Sequence, residues 1–448
     1  MKLNSIIFRG LIPLTFLASS LTSQYWTVDS EVRNEIRKAK LQNQLPAIMK
    51  EYGISLWLTM NRDPNDDPDN IFWDRYKRLD PVSEMIGAEN TFYPAIFIFT
   101  DRGERIAFVE DGDLPYIEAT GIYTTIDHYK YARQTGIEPM MKFLRAEVSR
   151  INPSKIGINM SETEPVADGL TAGLRKVLET VLGKEFADRL VSAEDIIVTL
   201  WGQKLSRELE NVRRSAQIAN DLMMDAFKNV KPGKTTAKDI FDFIRARMKA
   251  NGWEVGWDQK TCPIVRIKPS GDLLQDKIVA VPGSIISLNA GVLTKGYSND
   301  LDRTAYILRE KESKPPDEIL AMWSTLRRAV EAVVESMKRG ALGVDVDRKS
   351  RDIIKSAGYE EYWYQTGHPV GVWVHDIGTF IGPRHPHYGR KVELRLHEGE
   401  VFAIEPGVSI FSKELNGQIG LHLQEMVVVT RKGGEYLIPP QKEIFLIK

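Results

Sequence analysis

Gly367-His-Pro-Val-Gly-Val-Trp-Val-His-Asp376 sets two histidines seven residues apart among small and apolar neighbours. Six of the seven histidines lie between residues 368 and 422. Carboxylates gather in strand-like contexts on either side of this stretch. Upstream, Asn289-x-Gly291 is followed eleven residues on by Asp300, inside Gly296-Tyr-Ser-Asn-Asp-Leu-Asp-Arg-Thr304. Downstream, Glu405 ends the apolar run Val401-Phe-Ala-Ile, and Pro406-Gly407 stops that strand and fixes the carboxylate at its tip. Glu425 lies inside a second apolar run, Leu421–Val429. A carboxylate in an apolar strand is costly unless it is paired or bound to a cation.

The ordered set Asn289-x-Gly291, Asp300, His368 in GHxxG, His375 in HD, Glu405 in EPG and Glu425 resembles the creatinase/aminopeptidase P/prolidase group, the "pita-bread" metallopeptidases. The resemblance covers residues 200–448 well and residues 24–200 loosely. It implies an α/β (α+β) chain in which a pita-bread catalytic domain follows a smaller creatinase-like α/β domain. It also implies a dinuclear ligand set, carried over as Asn289, Asp300, His368, Glu405 and Glu425, with Glu405 doubling as general base and His375 contacting the substrate. Asn289 departs from the family's aspartate, which predicts one tight and one weak cation position. Leu423 departs too, standing where many members have Arg two residues before the last Glu. Tyr364 stands where a third family histidine often lies, and Asp302 is an added carboxylate that would replace a ligand if the chain bulges there.

This chemistry is sensible on its own terms. Carboxylates 4 Å apart repel by about 4 kcal/mol per pair at an effective dielectric near 20, and divalent cations reverse that sign. Oxygen-rich sites with a single imidazole suit manganese first, with zinc, cobalt or iron as alternatives.

Outward from the site, periodicity predicts helices over about 205–226, from Thr236 to Gly252, and over 316–339. Nearer the N-terminus a charged helix at 30–52 leads into a strand at 54–59. Asn61–Asp69 is a loop, strands follow at 93–100, 105–110 and 155–159, and a helix spans 138–151. Three segments result: residues 1–23, an N-terminal domain over 24–200 and a catalytic domain over 201–448.

Residues 1–23 have the order of a secretory signal, with Lys2 and Arg9, an apolar stretch and small residues at its end. The reading is a periplasmic or secreted protein, free of the membrane once the signal is removed. The 448-residue chain carries 60 basic and 61 acidic residues, so it lacks the basic surplus that nucleic-acid binding requires. Its one cysteine, Cys262, rules out an intrachain disulfide and a thiolate metal cage. The function expected is hydrolysis of small peptides, of Xaa-Pro aminopeptidase or prolidase type, by a homodimer. The alternatives are a creatinase-like hydrolase of a non-peptide C–N bond with weak or no metal, and a binding protein that keeps the fold without catalysis.

Overall fold

The computed structural model describes residues 30–61, 80–132, 135–269, 277–415 and 417–448. The signal-like segment and most of the Asn61–Asp69 loop lie outside the described residues. Helices α1 (Ser30–Ala39) and α2 (Leu45–Tyr52) are joined by one π-helical turn and precede a six-stranded sheet. Its strands are β1 (Leu56–Asn61), β2 (Ala95–Thr100), β3 (Arg105–Glu110), β4 (Thr125–Tyr129), β5 (Ile156–Ile158) and β6 (Leu190–Ser192), in the order β4-β3-β2-β1-β5-β6. Strand β2 runs antiparallel to its neighbours β1 and β3, while β4, β5 and β6 add in parallel. Both faces are covered, so every residue of β1 and β2 is buried and both strands are mostly apolar. Ile96 and Ile98 face a core shared with Leu144 and Leu178. Trp57, Phe97 and Phe99 face a second core, shared with the long helix described next.

Four helices of this half were not visible in the periodicity: α3 (Ser83–Ile86), α4 (Leu114–Thr120), α6 (Ala172–Ala187) and α7 (Glu194–Gly202), while α5 (Glu138–Ile151) was. Every residue of α7 but Asp195 is buried, which erases the polar stripe that marks an amphipathic helix. The predicted long helix is α8 (Ser206–Asn229), with Val212, Ala216, Ala219 and Met223 buried along one stripe. The next, α9 (Ala237–Ala250), starts at the expected reciprocal cap. The Asp239 amide donates to Thr236 Oγ1 (3.1 Å), and the Thr236 amide donates to Asp239 Oδ2 (2.9 Å).

Among the described residues, the C-terminal half holds two four-stranded sheets and two small ribbons. One ribbon pairs β7 (Glu254–Val255) with β10 (Val292–Leu293). The first sheet contains β8 (Ile264–Lys268), β9 (Ile285–Ala290), β11 (Leu301–Ile307) and β18 (Phe445–Ile447), in the order β18-β11-β9-β8. The second contains β12 (Gly367–Pro369), β13 (Val401–Ile404), β16 (Glu425–Val429) and β17 (Gly434–Tyr436), all antiparallel. Helices α10 (Asp317–Ser336) and α11 (Gly343–Ser356) bury their apolar faces in a core shared with Phe402, Ile404 and Val427. The apolar run Leu421–Val429 is divided between two strands: β15 (Gly417–His422), in a hairpin with β14 (Gly407–Ser412), and β16. Leu423 and Gln424 connect them beside the Pro406-Gly407 break, where the Leu423 amide donates to the Pro406 carbonyl (3.4 Å).

Candidate functional site

Register places the site's side chains. On the first sheet Asn289 lies opposite both Ile264 and Asp302, so the three form one row across the neighbouring strands β8, β9 and β11. Asp300 immediately precedes β11 and shares the face of Asp302, two residues on. On the second sheet His368 pairs with Ala403, and Ala403 with Met426. Two residues beyond Ala403 is Glu405, and two before Met426 is Gln424, so His368, Glu405 and Gln424 project to one face. The two faces converge on a cavity of about 420 Å³ whose lining includes Asn289, Asp300, Asp302, His375, Glu405 and Gln424.

Within it, His368 Nε2 stands 3.3 Å from Asp300 Oδ2 and 3.9 Å from Glu405 Oε1. Asn289 Nδ2 donates to Asp300 Oδ1 (2.8 Å) and to Gln424 Oε1 (2.7 Å). Glu405 Oε1 accepts from Gln365 Nε2 (2.8 Å) and Oε2 from Gln424 Nε2 (3.2 Å). The His368 and His375 rings meet edge to face, with centroids 4.4 Å apart. His368 and Asp300 are buried, whereas His375 faces solvent.

Burial dominates the electrostatics. It pushes the Glu405 carboxyl up to about 7, against the pull of His368. It likewise opposes charge on His368, but Glu405 and Asp300 outweigh it and lift the imidazole to about 9. Asp300 stays below the usual carboxylate range despite its burial, because the His368 ring 3.3 Å away and the Asn289 amide stabilise its charged form. Burial, then the neighbouring His368, lowers His375.

The loop that carries His375 is anchored from behind. Asp376 accepts from Trp201 Nε1 (2.6 Å) and from Lys204 Nζ (3.1 Å), and Trp201 stacks on Trp373 at 5.0 Å. The glycines of the GHxxG motif serve this packing rather than close approach to the site. A Cβ on Gly371 would overlap the Asp376 carboxylate and the Lys204 stem, and one on Gly367 would lie 2.7 Å from the Ala403 carbonyl.

The structure brings Asn289, Asp300, His368, His375 and Glu405, the residues carried over from the family resemblance, around one cavity; Glu425 lies away from it. It is buried on the opposite face, paired with Arg303 (3.3 Å) and accepting from the Gln441 amide (2.7 Å). Gln424 takes its place, because a one-residue difference in a strand reverses the face. Leu423 likewise turns into the core around Phe402 and Ile404. His422, two residues before Gln424, is the side chain that lines the cavity. Tyr364 hydrogen-bonds its Nδ1 (2.9 Å), and burial with Arg266 nearby holds the His422 ring near 4. Asp302 sits in regular β11, held by Ser287 Oγ (2.8 Å) and near Arg266 (3.7 Å). Gln365, Arg266 and Gln424 were missed because a neutral amide or a lone arginine in a strand carries no spacing signal.

Residues 210–431 match the model of metallopeptidase family M24. The chain carries an M24 domain. It is 25% identical over 339 residues to the Xaa-Pro dipeptidase of Pyrococcus furiosus, covering 75% of this chain and 88% of that one. A shorter match, 30% identical over 168 residues, is to the Xaa-Pro dipeptidase of Lactobacillus helveticus, covering 37% of this chain and 40% of the other. Among solved structures, the X-Pro aminopeptidase of Thermotoga maritima superposes with a TM-score of 0.56 at 20% identity, over 90% of this chain and 100% of that one. The N-terminal domain of the FACT complex subunit SPT16 from chickpea superposes with the same TM-score at 15% identity, over 92% and 97%. The fold is therefore the expected one, mixed α/β with a pita-bread architecture.

An M24 domain implies a divalent metal, and Asp300, His368 and His375 offer ligand atoms within 4.8 Å of one another. His368 Nε2 is buried with no hydrogen-bond partner among the described residues and is aimed between two carboxylates, as a ligand nitrogen would be. The donor set fits one cation at His368 and Asp300, with His375 in reach and Glu405 beside it. It does not fit two in the manner the family resemblance implies, because Asn289 and Gln424 place neutral amides where anions are needed.

Proposed function

We propose that this M24 domain hydrolyses small peptides of Xaa-Pro type, as a dipeptidase or aminopeptidase. The observation that carries the reading is the geometry: Glu405, 21% exposed, lies 3.9 Å from the sealed His368 in a cavity that the solvent-facing His375 also lines, and its carboxyl is pushed up to about 7. A general base works best with its pKa near the working pH. Gln365 and Gln424 hydrogen-bond the two Glu405 oxygens and fix the orientation in which that carboxylate takes a proton from water. His375, solvent-facing and shifted toward the neutral form, hydrogen-bonds the peptide. Trp257 and Ile264 form an apolar wall. A bound divalent cation, manganese by the chemistry of the donors, would supply Lewis-acid activation of water and carbonyl.

Further parts of the proposal rest on sequence. The signal-like residues 1–23 support export to the periplasm or beyond, which N-terminal sequencing of native protein tests. A homodimer and a division into domains near residue 200 belong to the same reading. In support of the division, the six-stranded sheet draws its strands from residues before 193 and the two four-stranded sheets from residues after 263.

The amides at Asn289 and Gln424 favour a second reading. A site with two fewer anions suits a peptide-binding protein, or a creatinase-like hydrolase of a non-peptide C–N bond. Assays of purified protein with Xaa-Pro dipeptides, with and without manganese, decide between them. Turnover that disappears in Glu405→Gln supports the peptidase; tight peptide binding without turnover supports the binding protein.

A further inference from the structure

Asp300 and Glu405 each present two oxygens, and these oxygens divide into two sides. On one side, Asn289 Nδ2 donates to Asp300 Oδ1 and to Gln424 Oε1, while Gln424 Nε2 donates to Glu405 Oε2. On the other, Asp300 Oδ2 faces His368 Nε2, which has no hydrogen-bond partner among the described residues, while Glu405 Oε1, farther off, accepts from Gln365 Nε2. The orientation of the amides is not arbitrary. An ionised carboxylate only accepts, so the nitrogen of Asn289 must turn to Asp300. Gln424 must then offer its oxygen to Asn289, which leaves its own nitrogen for Glu405. The chain Asp300–Asn289–Gln424–Glu405 is thus a continuous amide clamp with one polarity.

We infer that this clamp replaces a second cation and leaves a one-cation site formed by Asp300 and His368, with His375 the third group in reach. The amide hydrogens give the two carboxylates on one side the stabilisation that a positive ion would give. A cation on that side would meet N–H groups instead of lone pairs. Turning both amides over would expose their oxygens, but it would also aim oxygen at Asp300 and Glu405. Asn289 and Gln424 are 8% and 4% exposed, so water is poorly placed to rescue that arrangement. The inference rests on the peptidase reading only for the choice of cation; the clamp itself follows from the donors and acceptors.

The full chain is stripped of metal and titrated with Mn2+ alone, with stoichiometry read by elemental analysis and nuclearity by electron paramagnetic resonance. One ion per chain with an uncoupled Mn2+ spectrum is expected. His368→Ala should lose that ion. Asn289→Asp with Gln424→Glu should take up a second ion and give a spin-coupled spectrum, and each single change, less disruptive to folding, should fall between. Two coupled ions in the unaltered chain would overturn the inference, as would a folded double variant that still binds one. No tight ion in the unaltered chain would overturn it too. Peptide hydrolysis, measured separately, tests the functional reading, since turnover without bound metal would retain the peptidase while rejecting the one-cation site.

Discussion

Lys204 Nζ lies 3.1 Å from Asp376 Oδ2, and both side chains are sealed from water, at 2% and 0% exposure. Lys204 also donates to the carbonyls of Trp201 (2.9 Å) and Gly202 (3.2 Å). The pair therefore ties the start of α8 to the loop carrying His375. Removing one member of a buried pair leaves the other charge uncompensated, at a cost of about 3–5 kcal/mol. Lys204→Met should lose roughly that much in denaturant unfolding. Combining it with Asp376→Asn should recover part of the loss, and strict additivity in the double-mutant cycle would show that the two groups are not coupled.

Arg303 and Glu425 form a second buried pair, on the face of β16 turned away from the cavity. Glu425→Gln should weaken folding by about 3 kcal/mol and leave Mn2+ stoichiometry unchanged. Gln424→Glu should do the reverse, altering metal uptake with a smaller effect on stability. If Glu425→Gln instead abolished metal binding, Glu425 would return to the ligand set and Gln424 would leave it.

Asp80 supplies a pH dependence remote from the site. It is 5% exposed, and burial pushes its carboxyl up to about 6, despite donation from Asn159 Nδ2 (2.7 Å) and the Val82 amide (3.1 Å). Between the ordinary aspartate value and about 6 the folded chain holds more protons than the unfolded one. The stability slope with pH is negative in that window, so this contribution is present at low pH and is lost as pH rises through 6. A shift of about two units corresponds to roughly 3 kcal/mol. Asp80→Asn should flatten that part of the stability–pH curve; an unchanged slope between pH 4 and 6.5 would remove Asp80 as its source.

The helices at α5, α8 and α9 were legible because a solvated face leaves a polar stripe and a cap leaves a signature, as Thr236 and Asp239 do. Helix α7 was not, since burial on nearly every side removes the stripe. The site was legible where chemistry demanded unusual residues: a histidine between glycines, a carboxylate before Pro-Gly. It was misread at 424–425, where the apolar run Leu421–Val429 conceals a break between β15 and β16. Alternation counted through that run cannot say which residue faces the cavity. The register with β13, pairing Ala403 with Met426, decides it for Gln424. The reason for the glycines around His368 was equally out of reach, because the groups they accommodate, Ala403 and the Lys204–Asp376 pair, lie on other elements.

Gly371 joins these threads. Its amide donates to the Trp373 carbonyl (3.0 Å), and its own carbonyl accepts from Ser298 (2.7 Å), two residues before Asp300. A methyl group there would collide with the Asp376 carboxylate and the Lys204 stem at once. Neither can retreat, since Asp376 is also bonded to Trp201 and Lys204 to two carbonyls. Overpacking of this kind costs about 1–3 kcal/mol. Gly371→Ala should show that loss in thermal unfolding. It should also lower kcat more than it raises KM, because the His375 loop is displaced while the apolar wall is untouched. Gly420→Ala is the matched control on β15, where an added Cβ meets nothing within 4 Å. It should stay within about 0.5 kcal/mol of the parent. Equal behaviour of the two variants would mean that the ion pair yields to the methyl group, and that His375 does not depend on it for its position.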